Sequence, residues 1–200
     1  MLDQKRDSFK GWSFKTGEFF SKFPLSPDQI TLLAFLFVFI AFYFLVKQEF
    51  LLTIIFFLIA GFLDFVDGAV ARFRGCSTHE GAYLDTVIDR YIEGILLFGM
   101  LFLPLPAVLF PAHVWIFLTL FGSIVTTYAK AAAKEKELVG QELKGGLASR
   151  GERILLLLLS LILAMFNFRW MVCLLIFMAF LTNFTALQRV LMALKNNSGK

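Results

Sequence analysis

Four aspartates stand close together in the stretch DFVDGAVARFRGCSTHEGAYLDTVIDR, Asp64 to Arg90. Successive helical residues turn by about 100°, which puts Asp64, Asp67, Gly68 and Ala71 within one stripe. Gly81, Asp85 and Asp89, each four apart, make a second stripe. Two neighbouring antiparallel helices with facing stripes would converge four carboxylates on one cavity. An all-oxygen cluster suits hard divalent cations such as Mg²⁺, Mn²⁺ or Ca²⁺ rather than zinc. Cys76 and His79 fall in the turn between the stripes, and a lone thiol with a lone imidazole is read as incidental. Cys173 is too distant in sequence for a zinc-type spacing with Cys76, and two thiols make no disulfide framework.

The neighbours of the aspartates carry two readings each. Glycine inside a helix costs about 1 kcal/mol relative to alanine, so Gly68 and Gly81 need a reason. Helix packing supplies one, and close approach of a ligand supplies another. For Gly94 and Gly99, with no carboxylate beside them, packing is the reading. Arg72, at the edge of the first stripe, either pairs with an aspartate or holds phosphate.

The elements that must position these groups are membrane helices. Of the 200 residues 58% are hydrophobic, only 17% are charged, and 26 are Phe. Mean hydropathy is +0.76. This composition excludes a disordered chain, a disulfide-rich secreted module and an ordinary water-soluble globule. A bilayer-crossing helix needs about 20 mostly apolar residues. Six stretches qualify: 28–46, 50–73, 81–103, 112–137, 149–166 and 169–194. Pro27 starts the first and Lys47-Gln48-Glu49 stops it; Pro104, Pro106 and Pro111 punctuate the third connection. An ionised aspartate at mid-membrane costs about 2.5–3.5 kcal/mol on insertion scales, so packing alone gives no reason for four.

With six spans, both termini share a side with the second-to-third and fourth-to-fifth connections. All but three of the 19 Lys and Arg then fall on that side, the exceptions being Lys47, Arg169 and Arg90, which is inside the third span. This is the positive-inside pattern, so that side is cytoplasmic. The N-terminus has no apolar core of signal-peptide length. Lys5, Arg6, Lys10, Lys15 and Lys22 alternate there with Phe9, Trp12, Phe14, Phe19 and Phe20, as in a helix lying on an anionic membrane face. The expected fold is all-α: an integral membrane six-transmembrane-helix bundle with an N-terminal interfacial amphipathic helix. Its parts are an interfacial segment at 1–26, the membrane domain at 27–195 and a tail at 196–200.

Written D-x2-D-G-x2-A-R-x8-G-x3-D-x3-D, the stretch from Asp64 to Asp89 resembles the signature of the CDP-alcohol phosphotransferases, with every defining position filled. The resemblance implies transfer of a phosphoalcohol from a CDP-linked lipid to a hydroxyl, with release of CMP. It implies metal ligation by Asp64, Asp67, Asp85 and Asp89, on two divalent ions, Mg²⁺ or Mn²⁺. Asp89 would also be the general base. Asp67, Gly68, Ala71, Arg72 and Gly81 would bind the nucleotide donor, CDP-diacylglycerol or CDP-archaeol. It further implies a homodimer in the cell membrane, multi-pass, with the site on the cytoplasmic side. Membrane lipid is an expected partner and nucleic acid is not.

The acceptor is read from the remaining cytoplasmic cations. Arg150 and Arg153 begin span five, Lys130 ends span four, and Arg189 lies near the cytoplasmic end of span six. These are either positive-inside anchors or a pocket for a second anion. As a pocket, they resemble the branch of the family whose acceptor is a phosphorylated polyol, inositol phosphate above all; DTVIDRY and Arg-Gly-Glu-Arg are similar to members of that branch. Glycerol phosphate is the rival acceptor. Two other classes also place aspartates in membrane helices. Prenyltransferases lack the Gly-x2-Ala-Arg continuation of Gly68 to Arg72. A divalent-cation transporter would be expected to show internal symmetry, whereas all four aspartates sit on one hairpin.

Overall fold

The computed structural model describes residues 14–76, 78–139 and 145–197. The first half of the expected interfacial segment and the end of the C-terminal tail lie outside the described residues. Seven helices account for the fold, with no β-sheet among the described residues: α1 (14–20), α2 (Pro27–Val46), α3 (Phe50–Phe73), α4 (His79–Met100), α5 (Ala112–Glu135), α6 (Arg150–Ala164) and α7 (Phe168–Asn197). They group into two compact units, Met1–Leu96 and Leu97–Lys200. Four helices, α2, α3, α5 and α7, are long and apolar enough to cross a membrane. The helix α4 has the length but carries Glu80, Asp85, Asp89, Arg90 and Glu93. The helix α6 has 15 residues, about 22 Å of rise against a hydrocarbon core of about 30 Å.

In the first unit, a capping box fixes where α2 begins. Ser26 Oγ accepts from the Gln29 amide at 3.2 Å, and the Ser26 amide donates to Gln29 Oε1 at 2.9 Å. Pro27 at the first helical position adds a preset φ. The buried stripe Ala34, Val38, Ala41 and Leu45 faces inward. Phe56 of α3 stacks on Phe37 and Phe44 of α2, at centroid distances of 6.0 and 5.3 Å. Nearer the start of α2, Ile30 packs with Val66 and Val70 of α3, under Phe20 and Leu63. Outward, Leu32, Leu36, Phe39, Leu51, Ile55 and Leu58 remain exposed, as lipid-facing residues do.

The helix α1 is docked on the far end of α3. Gly17 permits this, because a Cβ there would sit 2.5 Å from the Ala69 carbonyl oxygen. Phe14 meets Phe73 edge-on at 5.1 Å, and Phe20 meets Phe62 at 5.8 Å. Arg74, capping α3, donates to the carbonyls of Ser21, Phe23 and Leu25 at 2.8, 3.0 and 2.8 Å. Phe19 and Phe23 point outward. The described aromatics of this segment are thus divided between the α3 surface and the outside.

In the second unit, α5 and α7 are joined by a buried polar seam. Thr126 Oγ1 donates within 3.1 Å of the Thr182 carbonyl and Asn183 Nδ2 reaches the Leu118 carbonyl at 2.9 Å, while Thr119 Oγ1, bonded to the Trp115 carbonyl of its own helix at 2.8 Å, lies 3.3 Å from the Leu175 carbonyl. Such bonds between apolar helices are modest singly, about 1 kcal/mol or less. They require close approach, and Gly122 provides it: a Cβ there would lie 2.8 Å from the Asn183 backbone nitrogen. At the end of α5 the helix stops two residues short of the expected Glu137, whose φ of 56° lies outside the helical region.

Replacing Gly122 by leucine is expected to force α5 from α7 and lower the thermal midpoint in detergent, at a cost of about 1–3 kcal/mol. Gly61→Ala is the comparison, since a Cβ at Gly61 meets nothing within 4 Å and the change removes a helix-interior glycine. Equal losses at both positions, measured by thermal unfolding, would contradict the packing account.

Candidate metal and phosphate-transfer site

Asp64 and Asp67 lie in the later half of α3, three residues apart and on one face. Asp85 lies two turns into α4. That helix starts where Thr78 caps it, Oγ1 accepting from the Gly81 amide at 3.0 Å. The structure brings one carboxylate oxygen from each of Asp64, Asp67 and Asp85 within 4.8 Å of one another. Asp67 is buried, and Asp64 and Asp85 are half-buried.

This donor set fits a divalent cation. Oxygens on opposite sides of one ion stand about 4.1 Å apart for Mg²⁺ and about 5 Å for Ca²⁺, twice the usual ligand distance. At 4.8 Å the three carboxylates are inside the Ca²⁺ span and need close by only a fraction of an ångström for a smaller ion, and the group consists of carboxylates alone. Unshielded, each ionised pair at this separation repels by roughly 3 kcal/mol at an effective dielectric of 20. A cation is the simplest group that makes the arrangement favourable.

Asp89, one turn beyond Asp85, is also buried, but it is not in the three-carboxylate group. Arg90 Nη2 lies 3.9 Å from Asp89 Oδ2. Arg90 also reaches Glu93 Oε2 at 3.1 Å. Glu93, 2% exposed, is a buried acid absent from the aspartate pattern. Its signal in the sequence is that it continues the four-residue spacing of Gly81, Asp85 and Asp89, three residues after Arg90.

The remaining expected donor ligands divide. Ala71 and Gly68 lie on the α3 face that carries the aspartates, both half-buried, while Arg72 is exposed. Arg72 folds its guanidinium back over Gly68, where a Cβ would come within 3.1 Å of Nη1. Gly68 therefore admits a side chain of its own helix. At Gly81 a Cβ would meet Thr78 Oγ1 at 3.1 Å, so that glycine serves the α4 cap. A further contact escapes the sequence altogether. Thr31 of α2 donates to Asp67 Oδ2 at 2.5 Å across the first unit. Only the pairing of α2 with α3 makes it visible.

The four cations expected at a second anion site all lie in the second unit. Arg189 of α7 donates to the Thr126 carbonyl at 2.9 Å, one turn before Lys130 on α5, and to the Gly145 carbonyl at 3.3 Å. Arg153 of α6, 2% exposed, donates to the Ala148 carbonyl at 3.3 Å. The Ala148 amide in turn donates to Thr185 of α7 at 3.1 Å. Arg150 and Lys130 are half-buried. One end of the unit thus gathers the last turns of α5 and α7, the first turn of α6 and the segment 145–149, and both Arg153 and Arg189 have a structural task there.

Residues 25–194 match the family model described as CDP-alcohol phosphatidyltransferase. The archaetidylinositol phosphate synthase of Pyrococcus horikoshii is 33% identical over 163 residues, 80% of this chain and 81% of that one. The phosphatidylinositol phosphate synthase of Mycobacterium tuberculosis, solved with CDP-DAG bound, superposes with a TM-score of 0.78 at 24% identity, covering 90% of this chain and 92% of the other. The same enzyme in complex with manganese and citrate gives 0.79 at 24% identity, over 90% and 88%. The motif, the clustered aspartates and a match running through both units agree, and the chain belongs to the CDP-alcohol phosphatidyltransferase family of multi-pass membrane transferases.

Proposed function

We propose that this transferase moves the phosphatidyl-type group of a CDP-linked lipid, CDP-diacylglycerol or CDP-archaeol, onto a hydroxyl of inositol phosphate, releasing CMP. The observation that carries the acceptor is the similarity, over four-fifths of each chain, to an archaetidylinositol phosphate synthase. The cationic end of the second unit supports it, because a phosphorylated polyol offers the anion that those residues suit. Glycerol phosphate would satisfy the same cations and remains the reading to test against. Family membership displaces the prenyltransferase and the cation transporter.

In this reading Asp64, Asp67 and Asp85 hold a divalent cation, Mg²⁺ or Mn²⁺, and Asp89 contributes to a second. Bound there, the metal supplies charge neutralisation on the pyrophosphate and on the departing CMP. Asp89 accepts the proton of the attacking hydroxyl. Arg72, exposed at the end of α3, swings from Gly68 to the donor phosphates. The uncovered Gly68, with Ala71 and Gly81, then leaves room for the nucleotide. Lys130, Arg150, Arg153 and Arg189 bind the acceptor phosphate. The donor's tails stay in the bilayer, which gives a polar reaction a reason to occupy apolar helices.

The same reading completes the topology. We take α4 and α6 as the third and fifth of six spans in a membrane domain at 27–195. The charges of α4 serve the site, and the short α6 is extended by its flanking residues. The positive-inside bias puts both termini and the aspartates on the cytoplasmic side of the cell membrane, with α1 at the interface, and the functional unit is a homodimer.

Purified protein given CDP-archaeol or CDP-diacylglycerol with Mg²⁺ is expected to release CMP with inositol phosphate and at least tenfold more slowly with glycerol phosphate. Turnover with glycerol phosphate alone would overturn the acceptor and leave the class intact. Asp85→Asn is expected to raise the thermal midpoint of the metal-free protein, by relieving carboxylate repulsion. It should also abolish the further rise that Mn²⁺ gives the parent. A Mn²⁺-dependent rise as large in the variant would contradict the cluster's role.

A further inference from the structure

The contact between α2 and the aspartate cluster carries an assignment of its own. Thr31 Oγ1 stands 2.5 Å from Asp67 Oδ2 and 3.1 Å from the Pro27 carbonyl oxygen. A hydroxyl has one proton to give, and the two acceptors differ. One is a neutral carbonyl in the first turn of α2; the other is a carboxylate. Bonds of the O–H···O⁻ type are short, about 2.5–2.7 Å, and roughly twice as strong as neutral ones. Thr31 therefore donates its hydrogen bond to the Asp67 carboxylate. Thr31 and Asp67 are 7% and 6% exposed, so both groups are largely withdrawn from bulk water.

Both ends of this bond are held in place. On the α2 side, the Ser26–Gln29 capping box fixes the first turn. Thr31 is β-branched and divides between two χ1 rotamers in a helix; here its Oγ1 stands 3.1 Å from the Pro27 carbonyl, four residues back. On the α3 side, the residues flanking Asp67 are fixed by apolar contact. Val66 and Val70 pack on Ile30, the residue preceding Thr31. A hydrogen bond to one oxygen opposes rotation of the carboxylate about χ2 and so biases the directions of the lone pairs of both oxygens. Groups outside the ligand set that orient ligands in this way typically change metal affinity by 10–100-fold when removed.

We propose that Thr31 is a positioning residue whose hydroxyl orients the Asp67 carboxylate for divalent-cation binding. The proposal rests on the reading of Asp64, Asp67 and Asp85 as a metal site, and its test separates the two. The full chain in lipid nanodiscs is titrated with Mn²⁺, and free Mn²⁺ is read from its paramagnetic resonance signal. The parent is compared with Thr31→Val, Thr31→Ala, Thr31→Ser and Asp67→Asn. Valine keeps the branched shape and loses only the hydroxyl; serine keeps the hydroxyl and loses the methyl.

The expected result is a 10–100-fold weaker Mn²⁺ affinity for Thr31→Val and Thr31→Ala. Recovery to within a few-fold of the parent is expected for Thr31→Ser. In the activity assay the loss should fall on the Mn²⁺ concentration giving half-maximal rate. Unaltered Mn²⁺ affinity in Thr31→Val, with Asp67→Asn impaired, would overturn the role of Thr31 and leave the metal site standing. Serine failing as badly as valine would also overturn it, by showing that the methyl rather than the hydroxyl matters. Parent-like Mn²⁺ affinity in Asp67→Asn would remove the metal-site reading and this inference with it. Should valine fail to fold, the alanine and serine pair decides the same question.

Discussion

Carboxylates in apolar helices repel one another and lose hydration, and the first unit is organised around that cost. Three of them, one buried and two half-buried, approach within 4.8 Å. The order of supports follows from this constraint. The stripe spacing on α3 and α4 sets which oxygens converge. The α2 capping box and the Ile30–Val66–Val70 cluster fix the register in which Thr31 meets Asp67. Farther along α3, Arg74 and Gly17 hold α1 against the helix that bears two of the aspartates. A rigid, preorganised anion cluster is what a hard divalent cation needs from a protein, and it is unfavourable for almost anything else.

The second unit meets a milder version of the same problem. Across its α5–α7 seam, Thr126 and Asn183 donate to backbone carbonyls of the facing helix. Gly122 lets the helices approach closely enough for those bonds. The seam runs toward the end where Arg189 donates to Thr126 and where Arg153 is enclosed. Cations whose donors are partly committed to carbonyls have lost much of their conformational freedom already. That makes them better suited to a defined phosphate than free surface lysines would be.

Much of the site was legible in the sequence because its pattern is local. Asp64, Asp67 and Asp85 are fixed by helical spacing along two consecutive helices, and charge in an apolar stretch is conspicuous. Asp89, expected with them, lies outside the group of three, with Arg90 beside it. Thr31 was not legible, since its meaning depends on which α2 residue faces Asp67, a tertiary fact. Gly68 and Gly81 were legible as tight positions, but a sequence does not say that Arg72 and Thr78 are the groups that approach them. The helices themselves were placed to within a few residues where caps mark them, as at Ser26 and Pro27. The length of α6 and the charge of α4 leave four helices that meet the requirements for crossing on apolar length alone.

The central claim is that Asp64, Asp67 and Asp85 form a divalent-cation site. Crystals of the protein soaked in Mn²⁺ and measured at the manganese absorption edge test it most directly. The account expects an anomalous peak within ligand distance of all three carboxylates. A peak elsewhere, or none beside these aspartates at saturating Mn²⁺, would contradict it.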